Sequence, residues 1–276
     1  MEQDMKIIVT TATILLVLFL LGWLGLQIKP RPFSPHTERT PELKTIPLPS
    51  GLPEPVERFY KTVYGDSIPV IETVVIKGRA TISPFGVKLP ARFLFVHNAG
   101  KDYRHYIEAT WFGIPLMKVN ERYLDGKSLF ELPMVGTTDN DPSINQGANL
   151  AVWAEAAWFP SIWITDPRVR WEPVDDKTAL LFIPFEEQEE NFVMRFNSAT
   201  GLLDSMEAMR FRDSGSRAKK ILWITRNIAG KKIESANLDA VGSATWLDQG
   251  IPWAIFTLEE VNYNVDVSEC IRQKGP

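Results

Sequence analysis

Residues whose types could support chemistry are few in this chain. It has one cysteine, Cys270, and three histidines, His36, His97 and His105. A single cysteine excludes an internal disulfide framework and any zinc site made of several cysteines. His97 and His105 fall on neighbouring predicted strands, so a metal site with Glu108 as third ligand is one interpretation. Ordinary histidines on a sheet surface explain the pair better, and we predict no metal and no cofactor.

Motifs of the common enzyme classes are missing from the sequence. It contains no Gly-x-Ser-x-Gly and no His-Glu-x-x-His, which mark many hydrolases and metalloproteases. The end of a phosphate-binding loop is matched by Gly126-Lys127-Ser128, but Glu121 stands where the first glycine is required. Asp139-Asn140-Asp141 resembles the start of a calcium-binding loop, but Ile144 stands where that loop requires its turn glycine. We predict no catalytic residue, although a hydrolase with Glu155 or a histidine as base stays an alternative.

Tryptophan is unusually frequent for a chain of this length. There are nine tryptophans, and all but Trp23 lie outside the N-terminal apolar run. Together with the phenylalanines and tyrosines they supply a large apolar area, which suits either a thick core or a cavity for an apolar ligand. The candidate cavity residues are Trp111, Trp153, Glu155, Trp158, Trp171, Arg210 and Trp223.

Glu155 is the charged candidate that most needs a partner. No other side chain between residues 144 and 165 is ionisable. A buried carboxylate must be paired or become neutral, because an isolated charge away from water is too costly. We expect a charge-assisted ion pair with Arg210, with Arg170 and Arg195 as further candidates.

The element that positions Glu155 is predicted to be a helix over residues 149–159. This stretch has four alanines, ends against Pro160, and has Asn145 or Asn149 as a possible N-cap. It is apolar on nearly all sides, so we expect it to be buried.

The remaining elements are predicted to be strands, after a short helix over residues 56–64. Runs of alternating or β-branched residues are separated by turn signals such as Asp125-Gly126. Because short turns join them without strand–helix alternation, we predict a mainly β (α+β) fold with a meandering antiparallel sheet. The predicted strands are 71–82, 87–97, 103–112, 116–123, 128–133, 169–173, 179–185, 192–197, 202–212, 220–228, 238–247 and 255–265.

The N-terminus carries an uncharged run of 22 residues at positions 7–28. At about 1.5 Å per residue this run can cross the hydrocarbon core, which takes about 20 residues. Lys6 and Lys29 flank it, and Trp23 lies near one interface. Because no Ala-x-Ala cleavage site follows, we predict that residues 1–28 form a retained transmembrane anchor.

Two further segments follow the anchor. Residues 29–55 hold eight prolines, which favours an extended, stiff tether. Residues 56–276 contain no comparable linker and are predicted to form a single domain. The net charge of −4 argues against nucleic-acid binding. Counting lysines and arginines places this domain in the cytoplasm, whereas the free amino terminus and Lys6 favour the opposite orientation.

Several stretches of the chain form a recognisable series. They are LPEPVERFY (52–60), YLDG (123–126), LAVWAEAAWFP (150–160), VRWEPVDD (169–176), AMRFR (208–212) and Trp246. In this order they resemble an uncharacterised, membrane-anchored prokaryotic domain family, over about residues 52–265. Where the family usually has Arg-Ile-Pro, this chain has Lys232-Ile233-Glu234. The resemblance implies a LolA-like (lipoprotein-carrier-like) fold, in which a curved antiparallel half-barrel packs on one or two helices with an apolar cavity between them.

Taken with the resemblance, these patterns predict a membrane-tethered, non-enzymatic module that binds an apolar ligand such as a lipid or an acyl chain. A structural partner in a membrane complex is the first alternative, and the hydrolase is the second. By analogy with the carrier fold, the domain after the single-pass anchor is favoured outside the cytoplasm. The expected partners are the membrane and the apolar ligand, and the sequence does not specify a protein partner.

Overall fold

The computed structural model describes residues 2–132, 136–234 and 236–275. Met1, Pro133 and Pro276, which are boundary residues of the predicted segments 1–28, 128–133 and 56–276, lie outside the described residues. Helix α1 (Glu2–Gln27) is long and apolar enough to cross a membrane. Its most apolar 18-residue stretch is not buried against any other part of the described chain. A helix with this length and exposure is what the N-terminal sequence predicts.

The described part of the chain after α1 is built mainly from antiparallel strands. Two short strands pair with each other, and thirteen form one large sheet. In chain order the strands are β1 (Thr45–Pro47), β2 (Ser67–Pro69), β3 (Thr73–Ile82), β4 (Leu89–Asn98), β5 (Asp102–Trp111), β6 (Ile114–Leu124), β7 (Lys127–Leu132), β8 (Gly136–Asp139), β9 (Arg170–Pro173), β10 (Thr178–Phe185), β11 (Gln188–Phe196), β12 (Leu203–Phe211), β13 (Lys220–Lys232), β14 (Asp239–Trp246) and β15 (Pro252–Tyr263).

The order of the large sheet is β8-β7-β6-β5-β4-β3-β15-β14-β13-β12-β11-β10-β9. Each strand therefore pairs with its neighbour in sequence, except where β3 meets β15. The predicted meander is confirmed, and the sequence does not predict the short strands β1, β2 and β8. Those have three or four residues each, which is too short for an alternating pattern to be visible.

After α1, three α-helices accompany the strands in the described chain. Helix α2 (Glu54–Tyr64), with Pro55 in its first turn, corresponds to the helix predicted over residues 56–64. Helix α3 (Pro142–Glu155) begins seven residues before the predicted start, and α4 (Ile162–Thr165) is a single turn. The N-cap of α3 is Asp141, whose carboxylate accepts hydrogen bonds from the backbone N–H groups of Ser143 and Ile144. Asn145 and Asn149, the predicted caps, lie inside the helix because the aspartate before Pro142 already satisfies its first turn.

The sheet curves around helix α3. This helix contacts β6 and β7 near one end of the strand order and β10 and β12 near the other. Laid flat, β7 and β12 would be roughly 38 Å apart at about 4.8 Å per strand. Helix α3, with 14 residues, is only about 21 Å long. Contact with both groups requires the sheet to bend around the helix, so the predicted curved antiparallel sheet over a helix is confirmed.

Alternation along the strands gives the sheet a core on each face. In β3, Val74 and Ile76 point into the main core around α3, while Val75 between them joins a smaller cluster on the convex face. The convex cluster also contains residues from the C-terminal segment, including Val267 and Ile271.

The proline-rich segment packs against the domain and does not extend away from it, and its first part, around Phe33, lies on the convex face. Phe33 packs against the ring of Tyr106, with ring centroids 5.9 Å apart. The ammonium of Lys77 donates a hydrogen bond of 2.6 Å to the carbonyl of Ser34, and β1 pairs with β2. Apolar contacts and hydrogen bonds thus hold against the domain a stretch that the sequence predicts as an extended, stiff tether.

Candidate functional site

A cavity lies between helix α3 and the concave face of the sheet. Its volume is about 100 Å³, and with its open mouth it encloses about 720 Å³ that no atom fills. Alanines of the helix region, Ala151, Ala154 and Ala157, leave this space free because their side chains are short. The cavity therefore exists where the helix presents small residues to a curved sheet.

One part of the cavity wall is aromatic. Trp158 follows α3, Trp223 comes from β13, and Phe256 comes from β15. The ring of Trp158 lies over Gly242 of β14, where a Cβ would come within 3.1 Å of the indole. Glycine at this position lets the large ring approach the sheet backbone.

The opposite part of the wall is polar and charged. Glu155, at the end of α3, places Oε2 2.7 Å from Nε2 of His105 and 3.1 Å from Nε2 of His97. The first contact is a hydrogen bond, and the second has ion-pair distance without hydrogen-bond alignment. His97 and His105 come from β4 and β5 and are 0% and 5% exposed. The prediction that they are sheet-surface histidines is wrong, since both face the core under α3.

A second carboxylate supports this cluster from the neighbouring strand. Glu121 of β6 lies 3.5 Å from Nδ1 of His105 and accepts a hydrogen bond from the hydroxyl of Tyr103. The rings of Tyr103 and His105 are stacked, with centroids 3.9 Å apart. His105 is therefore held between two carboxylates, one at each ring nitrogen.

Burial and charge act in opposite directions on these groups. Burial alone would lower the pKa of His105, but the carboxylates of Glu155 and Glu121 raise it to about 9. Burial alone would raise the pKa of Glu155, but His105 and His97 lower it to about 2. Burial dominates at His97, whose pKa is lowered. Near neutral pH, Glu155 and His105 form a charged pair, and His97 is neutral.

The predicted pair between Glu155 and Arg210 is wrong. No hydrogen bond or ion pair joins the two side chains among the described residues, because the end of α3 faces β4 and β5, whose histidines reach the carboxylate first. Arg210 of β12 lies in the cavity wall with its guanidinium 4.2 Å from the ring centroid of Trp223. Arg170 and Arg195 form partly exposed ion pairs with Glu189 and Glu207.

Four of the seven predicted site residues meet at the cavity, namely Glu155, Trp158, Arg210 and Trp223. The other three tryptophans lie elsewhere. Trp153 is 1% exposed in the core, and Trp171 packs edge-on against Trp163. Trp111 is 43% exposed near α1. Trp111 sits at a hairpin end, where the sheet no longer encloses its side chain.

The cavity wall also offers hydrogen-bond donors that no described residue accepts. The indole N–H groups of Trp158, Trp223 and Trp253 are buried without a partner, and so is Nε of Arg210. Buried donors without an acceptor cost free energy. All four donors belong to side chains that line the same cavity.

His97, His105, Glu121 and Trp253 belong to the site but are not among the cavity residues predicted from the sequence. The sequence suggests Glu108 as the partner of the two histidines, but that carboxylate accepts a hydrogen bond of 2.7 Å from Arg92 and lies on the opposite face of β5. Strand alternation alone could have excluded Glu108, because residues 105 and 108 are an odd number of positions apart and therefore point to opposite faces of the strand.

Comparison with known proteins gives a family and a set of distant structures. No curated protein matches the sequence. A LolA superfamily protein from Nitrosomonas europaea is 10% identical, with a TM-score of 0.43, and the match covers 73% of this chain and 89% of that one. A DUF1329 family protein from Desulfovibrio piger is 12% identical, with a TM-score of 0.40 and coverages of 73% and 89%. A Vibrio parahaemolyticus domain, assigned by its name to outer membrane lipoprotein sorting, is 8% identical, with a TM-score of 0.41 and coverages of 79% and 92%.

Similarity at these TM-scores does not transfer the function of those proteins to this chain. The family model matches residues 42–258, which include most of the β-rich domain and the cavity. The chain belongs to DUF6544, a family of unknown function.

Proposed function

We propose that the protein is a membrane-tethered module that binds an amphipathic molecule, with its apolar chain against the aromatic rings of the cavity and its acceptor group at the N–H donors of the cavity tryptophans and Arg210. The observation that carries the proposal is the set of unpartnered N–H donors on these cavity-lining side chains.

The contact between α1 and the domain supports the membrane part of the proposal. The indole of Trp111 donates a hydrogen bond of 3.0 Å to the carbonyl of Gly22, and the backbone N–H of Phe112 donates to Gly25. The same β5–β6 hairpin exposes Ile114 and Leu116, which are 69% and 67% exposed. Apolar and tryptophan side chains beside the end of a spanning helix are typical of a membrane interface.

The donors in the cavity support the choice of an amphipathic ligand. A purely apolar molecule would leave the three indole N–H groups and Arg210 Nε buried and unpaired. A carboxylate or phosphate oxygen would accept from them, and Arg210 would supply a charge-assisted bond. The aromatic wall would then remove the apolar chain from water.

The size of the cavity limits how the ligand would sit. An enclosed apolar cavity of about 150 Å³ holds a benzene molecule. The inner space here, about 100 Å³, is smaller, so only one end of a long chain would enter it. The rest of the ligand would occupy the mouth, where the total free space reaches about 720 Å³.

Photo-crosslinking of the full chain in detergent micelles tests the proposal. The probe is palmitic acid carrying a diazirine in its alkyl chain, and unlabelled palmitate and its methyl ester compete. We expect labelled peptides around Trp158 and Trp223, displaced by palmitate at lower concentration than by the ester. Thr225→Phe fills the cavity and should abolish labelling, because Thr225 lines it. Thr245→Phe is the matched control. Thr225 pairs with Ala244, which also lines the cavity, whereas the next residue, Thr245, does not line it.

Equal labelling of both variants, or labels spread evenly over the domain, would contradict a ligand site in the cavity. Lipid extraction followed by mass spectrometry of the purified chain is the second measurement. A stoichiometric protein that copurifies in place of any lipid would favour the structural-partner alternative.

A further inference from the structure

We infer that His97, His105 and Glu155 form a binding site for a divalent transition-metal ion, with Zn²⁺ as the best match to these ligands. The inference does not rest on the proposed amphipathic ligand, because it uses a different set of atoms. One ligand atom from each of the three residues lies within 4.8 Å of the other two. Metal–ligand bonds of about 2.0–2.2 Å to nitrogen and oxygen require only small movements from this arrangement.

The state of His97 is the first independent observation. This ring is fully buried, and neither of its nitrogens has a hydrogen-bond partner among the described residues. Its Nε2 nevertheless lies 3.1 Å from Oε2 of Glu155. An orphaned buried nitrogen requires an explanation, and a metal ion bound through its lone pair would supply the missing partner.

The surroundings of His105 are the second observation. Glu121 lies 3.5 Å from Nδ1 of His105, and Tyr103 holds that carboxylate through its hydroxyl. The carboxylate of Glu121 holds the ring at Nδ1, and a metal ion would displace the proton from Nε2, the nitrogen that faces Glu155. This carboxylate–histidine arrangement is common behind metal ligands, where it orients the ring.

The donor set and its position determine the kind of ion. Two imidazoles and one carboxylate are the protein ligands of zinc sites that keep an open fourth position, and of some iron(II) sites. His105 and Glu155 line the cavity, so an open position would face it. Such a site would present the ion to whatever molecule enters.

Cobalt titration of the full chain in detergent micelles, after removal of metal with EDTA, tests the inference. Co²⁺ is the probe because four- and five-coordinate cobalt absorbs visible light more strongly than the hydrated ion. We expect a saturable visible spectrum at one Co²⁺ per chain, displaced by one equivalent of Zn²⁺. X-ray absorption of the zinc-loaded wild-type chain should show two imidazole ligands, which requires no variant.

Three variants distinguish ligands from bystanders. His97→Gln should weaken Zn²⁺ binding at least about 10-fold, and Glu121→Gln should weaken it by about 10–100-fold while leaving the three ligands in place. His36→Gln is the matched control, since this histidine lies outside the cluster and its backbone binds Glu260. Near-UV circular dichroism reports whether each variant is folded.

Absence of a one-to-one cobalt spectrum in the wild-type chain would overturn the inference. So would zinc without imidazole ligands, or equal loss of affinity in His36→Gln and His97→Gln. Failure of palmitate crosslinking with normal cobalt binding would remove the proposed function and leave the metal site standing.

Discussion

Replacement of Glu155 by glutamine should destabilise the metal-free protein by about 3 kcal/mol. In the wild-type chain Glu155 is the nearest carboxylate to His105. It contributes to the rise of the His105 pKa from 6.5 to about 9. At about 1.4 kcal/mol per pH unit, that rise corresponds to ~3 kcal/mol of favourable interaction with the protonated ring. Glutamine keeps the size and a hydrogen-bond acceptor but removes the charge.

The worked figure is consistent with the general cost of breaking a buried ion pair, which is about 3–5 kcal/mol. We expect a cost near the lower end of this range, because His105 can lose its proton in the variant and still has Glu121 beside its Nδ1. The effect should be largest between about pH 4.5 and 6.5, where the Glu155 carboxylate is ionised and the His105 ring is charged in both the folded and the unfolded states of the wild-type chain.

Urea unfolding of the full chain in nonionic detergent with EDTA, followed by tryptophan fluorescence at pH 6, measures this loss. Glu186→Gln is the control, because Glu186 is exposed at the β10–β11 turn. A loss below about 1 kcal/mol for Glu155→Gln, or a similar loss for both variants, would refute the charged-pair description.

Further predictions concern pH, packing and capping. The urea midpoint of EDTA-treated protein should be highest between about pH 4.5 and 6.5, because the pKa of Glu155 is lowered from 4.5 to about 2 and that of His105 is raised to about 9. Stability should fall as pH decreases from 4.5 towards 2 and as it increases from 6.5 through 9, and a flat profile would contradict the assignment. Gly78→Ala should cost at least about 2 kcal/mol in the same assay, because the added Cβ would lie 2.1 Å from the carbonyl oxygen of Thr257 in the adjacent strand. Gly22→Ala is the control and should be neutral, because a Cβ there would meet nothing within 4 Å. Asp141→Ala should cost about 1 kcal/mol through loss of the α3 cap, and an unchanged urea midpoint would argue against the cap.

Strand positions were predictable from the sequence because alternation is a local property. The pattern of β3, β4 and β5 places each strand within two residues of its observed bounds. The start of α3 was missed because its first turns carry polar residues, including Gln146, which the core satisfies through hydrogen bonds to Glu190 and Met209. Buried polar side chains in a helix give no apolar period to read.

The ionic partners in the candidate site depended on distances that sequence does not encode. Glu155 needed a buried cation, and both Arg210 and His105 line the same cavity. Which one pairs with the carboxylate is decided by the rotation of α3 over a curved sheet. Composition identified the cavity's tryptophans only in part, because Trp153 and Trp223 are equally apolar and differ only in which space their strand or helix faces.

The pairing of β3 with β15 has a consequence for how the chain folds. These strands are joined by the register Ala254↔Ile82 to Tyr263↔Val74, across more than 170 residues of sequence. Until β15 has left the ribosome, β3 and β14 are both open edges with apolar side chains, which are prone to pair with other chains. The sheet can therefore close only after nearly the whole chain is available, and the large loop makes this step slow. A cell that makes this protein must keep the two half-sheets apart from other chains until the last long strand inserts between them.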